Sequence, residues 1–330
     1  MKVAVFSTKS YDREFFDRAN KTAGHELSYL DIPLNKNTAN LTEAFEAVCV
    51  FVNDKLDQET VGILSGNGVK LIALRCAGFN NVDLEAAQQK NIKVVRVPSY
   101  SPQAVAELAV ALILTLNRKT HKAYNRVREN NFSLDKLTGF NLYGKSVGVI
   151  GTGKIGAAFC RIMLGFGCKV IAYDKFESAK LKKAGVEYKP FFTLLQQADV
   201  ISLHCPLTPE THHLIDKKAF SQIKPGAMLI NTSRGAVIDT QAAVKFLKNG
   251  KLGYLGIDVY EQEEKIFFKD LSESIIPDDL IARLMTFPNV LITAHQGFFT
   301  KEALEDIAKT TLQNISDFEK GKPLENEVKL

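Results

Sequence analysis

The chain has 330 residues, 45% of them hydrophobic and 24% charged, which is typical of a soluble globular protein long enough for two domains. The net charge of +5 arises from 42 Lys and Arg interspersed with 37 Asp and Glu, so a solvated surface is favoured over a nucleic-acid-binding one. No window of about 18 apolar residues predicts a membrane span. The N-terminus is typical of a first strand rather than of a signal peptide, and we therefore expect a cytoplasmic protein without a membrane partner.

The cysteines predict neither disulfides nor a metal centre. Their number is odd, no CxxC motif occurs, and most of them have apolar neighbours. Buried, reduced thiols are the expected state, and we expect no cluster of zinc ligands. The five are Cys49, Cys76, Cys160, Cys168 and Cys205.

Strand and helix patterns alternate from residue 1 to about residue 100, which predicts a parallel sheet with helices on both faces. A helix is predicted from about Tyr11. This region has no glycine-rich phosphate-binding turn, so it is the candidate for substrate binding. The predicted strands are 2–6, 27–30, 47–51, 71–74 and 94–97.

Pro98 and Pro102 interrupt this alternation and predict a hinge between two domains. A long apolar helix rich in small residues is predicted at 104–116. Its small residues fit burial within the chain or a subunit interface, and the sequence leaves both open. The polar segment 117–144 predicts an exposed helix and loop.

The stretch SVGVIGTGKIG at 146–156 predicts a strand, a glycine turn and a helix in the order that binds a dinucleotide. Gly151 allows the tight turn, and Gly153 lets the backbone approach a pyrophosphate. Gly156 lets the helix pack closely on the strand. The pyrophosphate would lie at the helix N-terminus, where free N–H groups and the helix dipole favour an anion.

A second strand, predicted at 169–173, ends in Asp174. A carboxylate at this point accepts both ribose hydroxyls of NAD and repels the additional phosphate of NADP, so NAD is the predicted cofactor. The positive charge of Lys175, next to Asp174, argues against a strict preference for NAD. Further strands are predicted at 200–204, 228–232, 255–259 and 290–293.

An amphipathic helix predicted at 301–320 is expected to return to the first region and make it discontinuous. The predicted fold is therefore α/β, with two doubly wound parallel-sheet domains. One is a Rossmann dinucleotide-binding domain at 101–298. The other is a smaller, discontinuous, flavodoxin-like substrate domain at 1–100 and 299–330.

Ligands of open α/β sheets bind beyond the carboxyl ends of the strands, which directs attention to polar residues that follow strands. An enzyme that uses a nicotinamide to reduce a keto acid needs a cation for the carboxylate and a proton donor at the keto oxygen. Arg234 offers a planar guanidinium for bidentate carboxylate binding. His295 is suited to proton transfer near neutral pH, and a nearby carboxylate such as Glu263 would favour its protonated form.

Each of these residues also has an ordinary interpretation. An isolated Arg beside a turn is often a surface residue, and an isolated His is often structural. The acidic residues Glu261, Glu263 and Glu264 also fit a solvated run.

Several motifs in this order resemble the D-isomer-specific 2-hydroxyacid dehydrogenase family, and the resemblance covers essentially the whole chain. They are GTGKIG with Asp174, HCPLT at 204–208, NTSRG at 231–235, DVYEQE at 258–263 and AHQGFF at 294–299. Earlier stretches, RCAGFNNVD at 75–83, VRVPSYSPQAVAE at 95–107 and TGFNLYGK at 138–145, most resemble the branch of that family that interconverts pyruvate and D-lactate.

The resemblance implies that Arg234, Glu263 and His295 are the catalytic set, because the family's catalytic glutamate lies five positions after the aspartate of DVY. It implies that the backbone N–H groups of Ala77 and Gly78 bind the substrate carboxylate together with Arg234. Besides the three glycines, the positions implied to contact the dinucleotide are Lys154, Ile155, Asp174, Cys205, Pro206, Thr211, Thr232, Ser233 and Asp258.

The resemblance also implies that Tyr100 and Phe298 line the substrate pocket, which favours a small substrate, and that the chain forms a homodimer or homotetramer. Two alternatives stay open. One is a reductase of bulkier 2-keto acids, or of glyoxylate or hydroxypyruvate, with the same catalytic residues. The other is a nucleotide-sensing binding module, like the corepressor branch of the family, although no additional interaction segment is evident.

Overall fold

The computed structural model describes residues 1–329, apart from the side chain of Lys265, and it divides into two compact units. The first unit contains Met1–Ser101 and the chain from Phe298 onward, and the second contains Pro102–Gly297. The division differs by one residue from each predicted boundary, so Ser101 and Phe298 belong to the first unit. Within residues 1–329, no helix has the length and apolar character needed to cross a membrane.

Strands and helices alternate in the N-terminal part of the first unit. Its central strands are buried at every position, as expected of parallel strands covered on both faces. In chain order the elements are β1 (Lys2–Val5), α1 (Ser10–Ala23), β2 (Glu26–Tyr29), a 3₁₀ helix (Ala39–Thr42), β3 (Ala47–Val50), α2 (Gln58–Gly66), β4 (Leu71–Leu74), α3 (Leu84–Gln89) and β5 (Lys93–Val95).

The five strands of the first unit are all parallel and lie in the order β2-β1-β3-β4-β5. This is the strand order of flavodoxin-like doubly wound sheets, and it confirms the predicted fold class for this region. The winding reverses between β1 and β3. Ligands of such sheets bind at the carboxyl ends of the strands beside the reversal, so the residues after β1, β3 and β4 are the ones to examine.

The second unit is the larger of the two. It begins with two helices and then alternates strands and helices. Its elements are α4 (Pro102–Arg118), α5 (Thr120–Arg128), β6 (Ser146–Ile150), α6 (Lys154–Gly165), β7 (Lys169–Tyr173), α7 (Ala179–Lys183), β8 (Glu187–Tyr188), α8 (Phe191–Gln197), β9 (Val200–Leu203), α9 (Lys217–Gln222), β10 (Ala227–Asn231), a 3₁₀ helix (Gly235–Val237), α10 (Thr240–Lys248), β11 (Leu252–Ile257), a 3₁₀ helix (Glu263–Lys265), α11 (Asp279–Met285) and β12 (Val290–Ile292).

Seven parallel strands form the sheet of the second unit, in the order β12-β11-β10-β9-β6-β7-β8. The winding reverses between β6 and β9, which pair in parallel from Val147 with Val200 onward. This arrangement confirms the predicted Rossmann fold. The two-residue strand β8 is absent from the sequence prediction because so short a run carries no recognisable alternation.

The apolar helix α4 packs within its own unit. Ala106, Ala109, Ile113 and Leu116 are buried in one core with residues of β6, α6 and β10. Burial in the chain, one of the two interpretations left open by the sequence, therefore accounts for these small residues. The following segment is exposed as predicted, since α5 has no buried residue.

The last helix, α12 (Lys301–Glu319), belongs to the first unit and packs against α1 and β4. Ala308, Leu312 and Ile315 of α12 enter the same core as Val3 of β1 and Phe16 of α1. The two ends of the chain therefore complete one hydrophobic core.

Candidate active site

The glycine turn after β6 is held against the end of β9. Gly151 has a φ of +90°, and a Cβ built on it would lie 2.7 Å from the backbone N of Cys205. A Cβ on Gly156 would lie 2.0 Å from the carbonyl oxygen of Gly151, so α6 packs directly on the turn. A Cβ built on Gly153 would have no other described atom within 4 Å apart from its chain neighbours, which leaves space for the close approach of a pyrophosphate. Lys154 and Ile155 open α6 at this point, with the N-terminal N–H groups directed outward from the helix.

Asp174 follows β7 and faces the same turn. Its Oδ2 accepts hydrogen bonds from the N–H of Thr152 (2.5 Å) and the hydroxyl of Thr152 (3.0 Å), and its Oδ1 accepts one from the N–H of Phe176 (2.9 Å). Partial burial acts to raise the pKa of Asp174, but these hydrogen bonds outweigh it and lower the pKa. The carboxylate is therefore ionised and keeps lone pairs for the two hydroxyls of a ribose.

Polar atoms without partners lie at the ends of neighbouring strands. Within the described residues, the hydroxyl of Thr232 and Nδ1 of His204 are buried and make no hydrogen bond. A ligand that brings polar groups to these atoms would satisfy them. Burial also lowers the pKa of His204 to about 3 and raises that of Cys205 to about 11, so both side chains are neutral near pH 7.

The loop after β9 is organised by Thr211. Its hydroxyl accepts a hydrogen bond from the N–H of Thr208 (2.7 Å) and donates one to the carbonyl of Pro206 (2.6 Å). The position of Pro206 beside the glycine turn therefore depends on the Thr211 side chain, whatever contact Thr211 itself makes with a cofactor.

Asp258, at the end of β11, organises the loop that carries His295. The Asp258 side chain accepts hydrogen bonds from the hydroxyl of Thr293 (2.5 Å) and from the N–H groups of Gln296 (2.9 Å) and Gly297 (2.8 Å). The backbone carbonyl of Asp258 accepts the N–H of His295 at 2.7 Å. Asp258 is only 1% exposed, and sequence reasoning missed this positioning role when it assigned the residue to the cofactor.

His295 and Glu263 are hydrogen-bonded to each other, with 2.7 Å between Nδ1 and Oε1. The other Glu263 oxygen accepts the N–H of Tyr260 at 2.9 Å. Because Nδ1 is turned toward Glu263, Nε2 of the imidazole is the nitrogen that remains for a substrate. The His295 backbone adopts a left-handed φ of +53°, a strained conformation that its loop contacts maintain.

The other two acidic residues of this segment have different surroundings. Glu261 Oε1 lies 2.6 Å from Nε2 of His213, and Glu264 is exposed. The alternative that all three form a solvated acidic run therefore fits Glu264 alone.

Arg234 lies on a loop that is stabilised by hydrogen bonds to the side chain of Asn231. The wholly buried Asn231 side chain accepts hydrogen bonds from the N–H and hydroxyl of Ser233, and it donates one to the carbonyl of Arg234 at 2.9 Å. A Cβ on Gly235 would lie 2.1 Å from the carbonyl carbon of Tyr260. Backbone contact at Gly235 therefore fixes the Arg234 loop against the segment that carries Glu263.

Ala77 and Gly78, two of the predicted substrate-binding residues, follow β4 in the first unit. Phe298 is the first residue of the C-terminal part of this unit. The carbonyl of Ala77 accepts a hydrogen bond from Arg96 Nη1 (2.8 Å), and that of Gly78 accepts one from Cys76 Sγ (3.2 Å). Tyr100 is half-buried. Phe298 is 7% exposed and packs its ring 5.6 Å from that of Phe51 and 6.0 Å from that of Phe299.

Sequence reasoning missed Arg75, which is buried beneath these residues. Its guanidinium donates to the carbonyls of Phe6 (3.0 Å) and Ser7 (2.9 Å), pairs with Asp12 (3.3 Å), and lies 4.8 Å from the ring centroid of Phe51. An arginine directly after an apolar strand is the only signal in the sequence. Burial of such a cation follows from the carbonyl groups that converge on it in three dimensions.

The fold and the glycine turn define a dinucleotide-binding protein, and comparison with known proteins defines its family. Residues 110–297 match the family described as D-isomer specific 2-hydroxyacid dehydrogenase, NAD binding domain. The chain belongs to the D-isomer-specific 2-hydroxyacid dehydrogenase family and uses NAD as its cofactor.

Relatives match over the full length of the chain. D-lactate dehydrogenase of Escherichia coli strain K12 is 54% identical over 328 residues, which cover 99% of this chain and 100% of that protein. The solved apo-structure of D-lactate dehydrogenase from Escherichia coli superposes with a TM-score of 0.92 at 52% identity and covers 100% of both chains. The structure described as the pyruvate reductase of Chlamydomonas reinhardtii superposes with a TM-score of 0.93 at 43% identity, covering 99% of this chain and 98% of that one.

Proposed function

We propose that this protein is a D-lactate dehydrogenase that reduces pyruvate to D-lactate with NADH. The observation that carries the proposal is the pairing of His295 with Glu263 at 2.7 Å, in the same unit as the dinucleotide turn. The full-length similarity to D-lactate dehydrogenase of Escherichia coli supports the choice of substrate.

Arg234 is the proposed carboxylate-binding residue. It is half-buried, and one guanidinium nitrogen donates to the carbonyl of Ser233 at 2.7 Å. A guanidinium has five N–H donors, so this internal bond fixes the side chain and leaves donors for a bidentate contact with a carboxylate.

His295 is the proposed proton donor. When bound, NADH supplies the hydride that adds to the keto carbon of the substrate. His295 Nε2 hydrogen-bonds the keto oxygen and transfers its proton to that oxygen as negative charge develops there. Glu263 stabilises the imidazolium and keeps Nδ1 protonated, so Nε2 is the nitrogen that exchanges a proton with the substrate.

The residues of the first unit are proposed to recognise the rest of the substrate. Backbone N–H groups of Ala77 and Gly78 bind its carboxylate, and Tyr100 and Phe298 contact its methyl group. Close packing of Phe298 on Phe51 and Phe299 supports a small substrate, because an aromatic ring held on two sides does not yield readily to a larger group.

NAD is proposed to contact the residues around the glycine turn and the neighbouring strand ends. Two of these residues are the best supported. The buried hydroxyl of Thr232 has no hydrogen-bond partner among residues 1–329, and Asp174 keeps lone pairs for a ligand. The proposed set is Gly151, Gly153, Lys154, Ile155, Gly156, Asp174, Cys205, Pro206, Thr211, Thr232, Ser233 and Asp258.

A homodimer or homotetramer is proposed from the exposed apolar side chains of the second unit. Tyr124, Phe132, Leu134 and Tyr143 are between 62% and 82% exposed, more than large apolar groups usually are. Size-exclusion chromatography with light scattering tests this, since a monomeric mass would contradict it.

The cytoplasm is the proposed compartment, because all five cysteines are free thiols.

The test of the proposed function is NADH oxidation by the purified protein with pyruvate, 2-ketobutyrate, 4-methyl-2-oxopentanoate and phenylpyruvate. Chiral separation identifies the product. We expect pyruvate to be the best substrate by kcat/KM and D-lactate to be the product. His295→Asn is the matched control, which should lose turnover by about 100-fold or more while binding NADH normally.

Three outcomes would contradict the proposal in different ways. A preference for the bulky acids would mean that the proposed catalytic residues act on a larger 2-keto acid than pyruvate. Formation of L-lactate would overturn the proposed face of hydride addition. Intact NADH binding without turnover of any keto acid would favour a nucleotide-sensing module.

A further inference from the structure

Two adjacent histidines and a glutamate converge in the second unit, apart from the His295–Glu263 pair. Among the described residues, the donor atoms of His212, His213 and Glu261 all lie within 4.8 Å of one another. The sequence predicted no cluster of zinc ligands. His213 and Glu261 are 48 residues apart in the chain, so no ligand spacing appears in the sequence.

Glu261 is held in place by Thr240 at the start of α10. The hydroxyl of Thr240 donates to Glu261 Oε2 at 3.0 Å, while Oε1 lies 2.6 Å from His213 Nε2. A hydrogen bond from a neighbouring side chain is the usual means of orienting a carboxylate that binds a metal.

His213 is fixed by its backbone. Its N–H donates to the carbonyl of Ala236 at 2.8 Å, and Ile215, two residues further on, forms a parallel bridge to Ile238. His213 has a left-handed φ of +49°. The strand-like contact holds this strained backbone so that the imidazole points at Glu261.

His212 supplies the exposed member of the cluster. Its ring stacks on that of His213, with centroids 4.1 Å apart and planes inclined by 26°. Since the His212 side chain is exposed, rotation about its side-chain bonds can direct a ring nitrogen toward an ion beside Glu261 without disturbing the core.

We propose that His212, His213 and Glu261 form a binding site for a borderline divalent transition-metal ion, of which Zn²⁺ is the representative. Two imidazoles and a carboxylate suit Zn²⁺, Ni²⁺ or Cu²⁺, whereas Mg²⁺ and Ca²⁺ prefer oxygen ligands alone. Three protein ligands leave a position for water. Tetrahedral bonds of about 2.0 Å place ligand atoms about 3.3 Å apart, so the His213–Glu261 pair opens slightly to admit the ion.

This site is separate from the proposed catalytic pair. His295 and Glu263 could themselves attract Zn²⁺, so the experiment must distinguish the two pairs. The readout is metal binding rather than turnover, and its failure leaves the proposed function untouched.

The experiment uses the full-length protein without an affinity tag, treated with chelator and then titrated with Zn²⁺ by calorimetry and with Co²⁺ by visible absorption. We expect one strong site per chain and a Co²⁺ spectrum of four- or five-coordinate geometry. His212→Ala should weaken Zn²⁺ binding by about 10- to 100-fold. Because His212 is exposed, this variant should fold normally and keep NADH-dependent turnover in the absence of metal.

Glu261→Gln should weaken binding to a similar degree, while His295→Asn and His121→Gln should bind Zn²⁺ as the unmodified protein does. Binding that is lost in His295→Asn and retained in His212→Ala would overturn the proposal, because the ion would then belong to the catalytic pair. Absence of a saturable site in the unmodified protein would overturn it as well.

Discussion

Glu263 contacts His295 with one carboxylate oxygen and the N–H of Tyr260 with the other, at 2.7 Å and 2.9 Å. The second contact fixes the carboxylate, so the first fixes the imidazole. Nε2 of His295 is therefore the ring nitrogen that the proposed proton transfer would use. The pair is 20% and 15% exposed, which strengthens its electrostatic interaction relative to one in open water.

Replacing Glu263 by Gln should lower kcat/KM for keto-acid reduction. The amide keeps the shape of the side chain but removes the negative charge that stabilises positive charge on the imidazole and the carboxylate oxygen that orients Nδ1. Reduction at neutral pH should fall about tenfold or more. The measurement is kcat/KM for pyruvate against pH. Glu264→Gln, at the exposed neighbour, is the control, and an identical profile in the Glu263 and Glu264 variants would refute the role of Glu263.

Replacing Arg234 by Lys should raise KM for pyruvate by about 10- to 100-fold, corresponding to about 1.5 to 3 kcal/mol of charge-assisted hydrogen bonding. Lysine keeps the charge but loses the planar pair of donors. The affinity for NADH, measured by fluorescence titration, should be unchanged. Arg161→Lys, at an exposed position on α6, is the matched control. Equal effects on pyruvate and NADH would show that Arg234 does not act on the carboxylate.

Replacing Asp174 by Asn should reduce discrimination between NADH and NADPH by about tenfold or more, because a neutral amide neither repels the additional phosphate nor accepts two ribose hydroxyls. The measurement is the ratio of kcat/KM for the two cofactors at saturating pyruvate. Asp135→Asn, an exposed position in the same unit, should leave the ratio unchanged. An unchanged ratio in the Asp174 variant would place cofactor selection elsewhere, with Lys175 the next residue to test.

Replacing Gly235 by Ala should destabilise the second unit by about 1 to 3 kcal/mol, since the new Cβ would meet the backbone of Tyr260 at 2.1 Å. The loop must move, so kcat/KM should fall with stability. Urea unfolding and steady-state kinetics measure the two effects. Gly165→Ala on α6, where the added Cβ meets no described atom within 4 Å beyond its own helix turn, should stabilise by up to about 1 kcal/mol. Full stability and activity in the Gly235 variant would contradict the close contact.

The free energy of unfolding should decrease as pH falls from neutral. Burial lowers the pKa of His204 from 6.5 to about 3 in the folded protein, so below pH 6.5 the unfolded chain binds a proton that the native state excludes. His204→Gln should flatten this dependence in urea unfolding at a series of pH values. His25 and His121, whose pKa values are also lowered by burial, and carboxylates such as Asp174, whose pKa is lowered by hydrogen bonds, contribute to the slope that remains. An unchanged slope would mean that His204 titrates normally.

Much of the fold could be predicted because its signals are local. Apolar runs of four or five residues predicted nearly every strand, and the turn at 151–156 predicted the Rossmann fold before any contact was known. The elements that escaped prediction are short ones such as β8. Two residues bury too little surface to leave a periodic pattern.

The candidate site was predictable in part. Arg234, Glu263 and His295 were predicted because each follows a strand and because their motifs resemble those of a known family, and their catalytic roles stay predictions. The structural role of Asp258 was not found, since it depends on the N–H groups of Gln296 and Gly297 being wrapped around one carboxylate. Arg75 was missed for the same reason, as its partners come from the end of β1 and from α1.

The sequence by itself determined the order of elements, the cofactor and the residue types that end each strand, because these depend on side-chain periodicity and on glycine within a few residues. Only the tertiary structure decided which groups pair. Glu263 reaches His295 across 32 residues and Glu261 reaches His213 across 48, because β9, β10, β11 and β12 lie side by side and bring their following loops together. The order of the strands in the sheet brings these side chains into contact, and their separation along the chain does not reveal it.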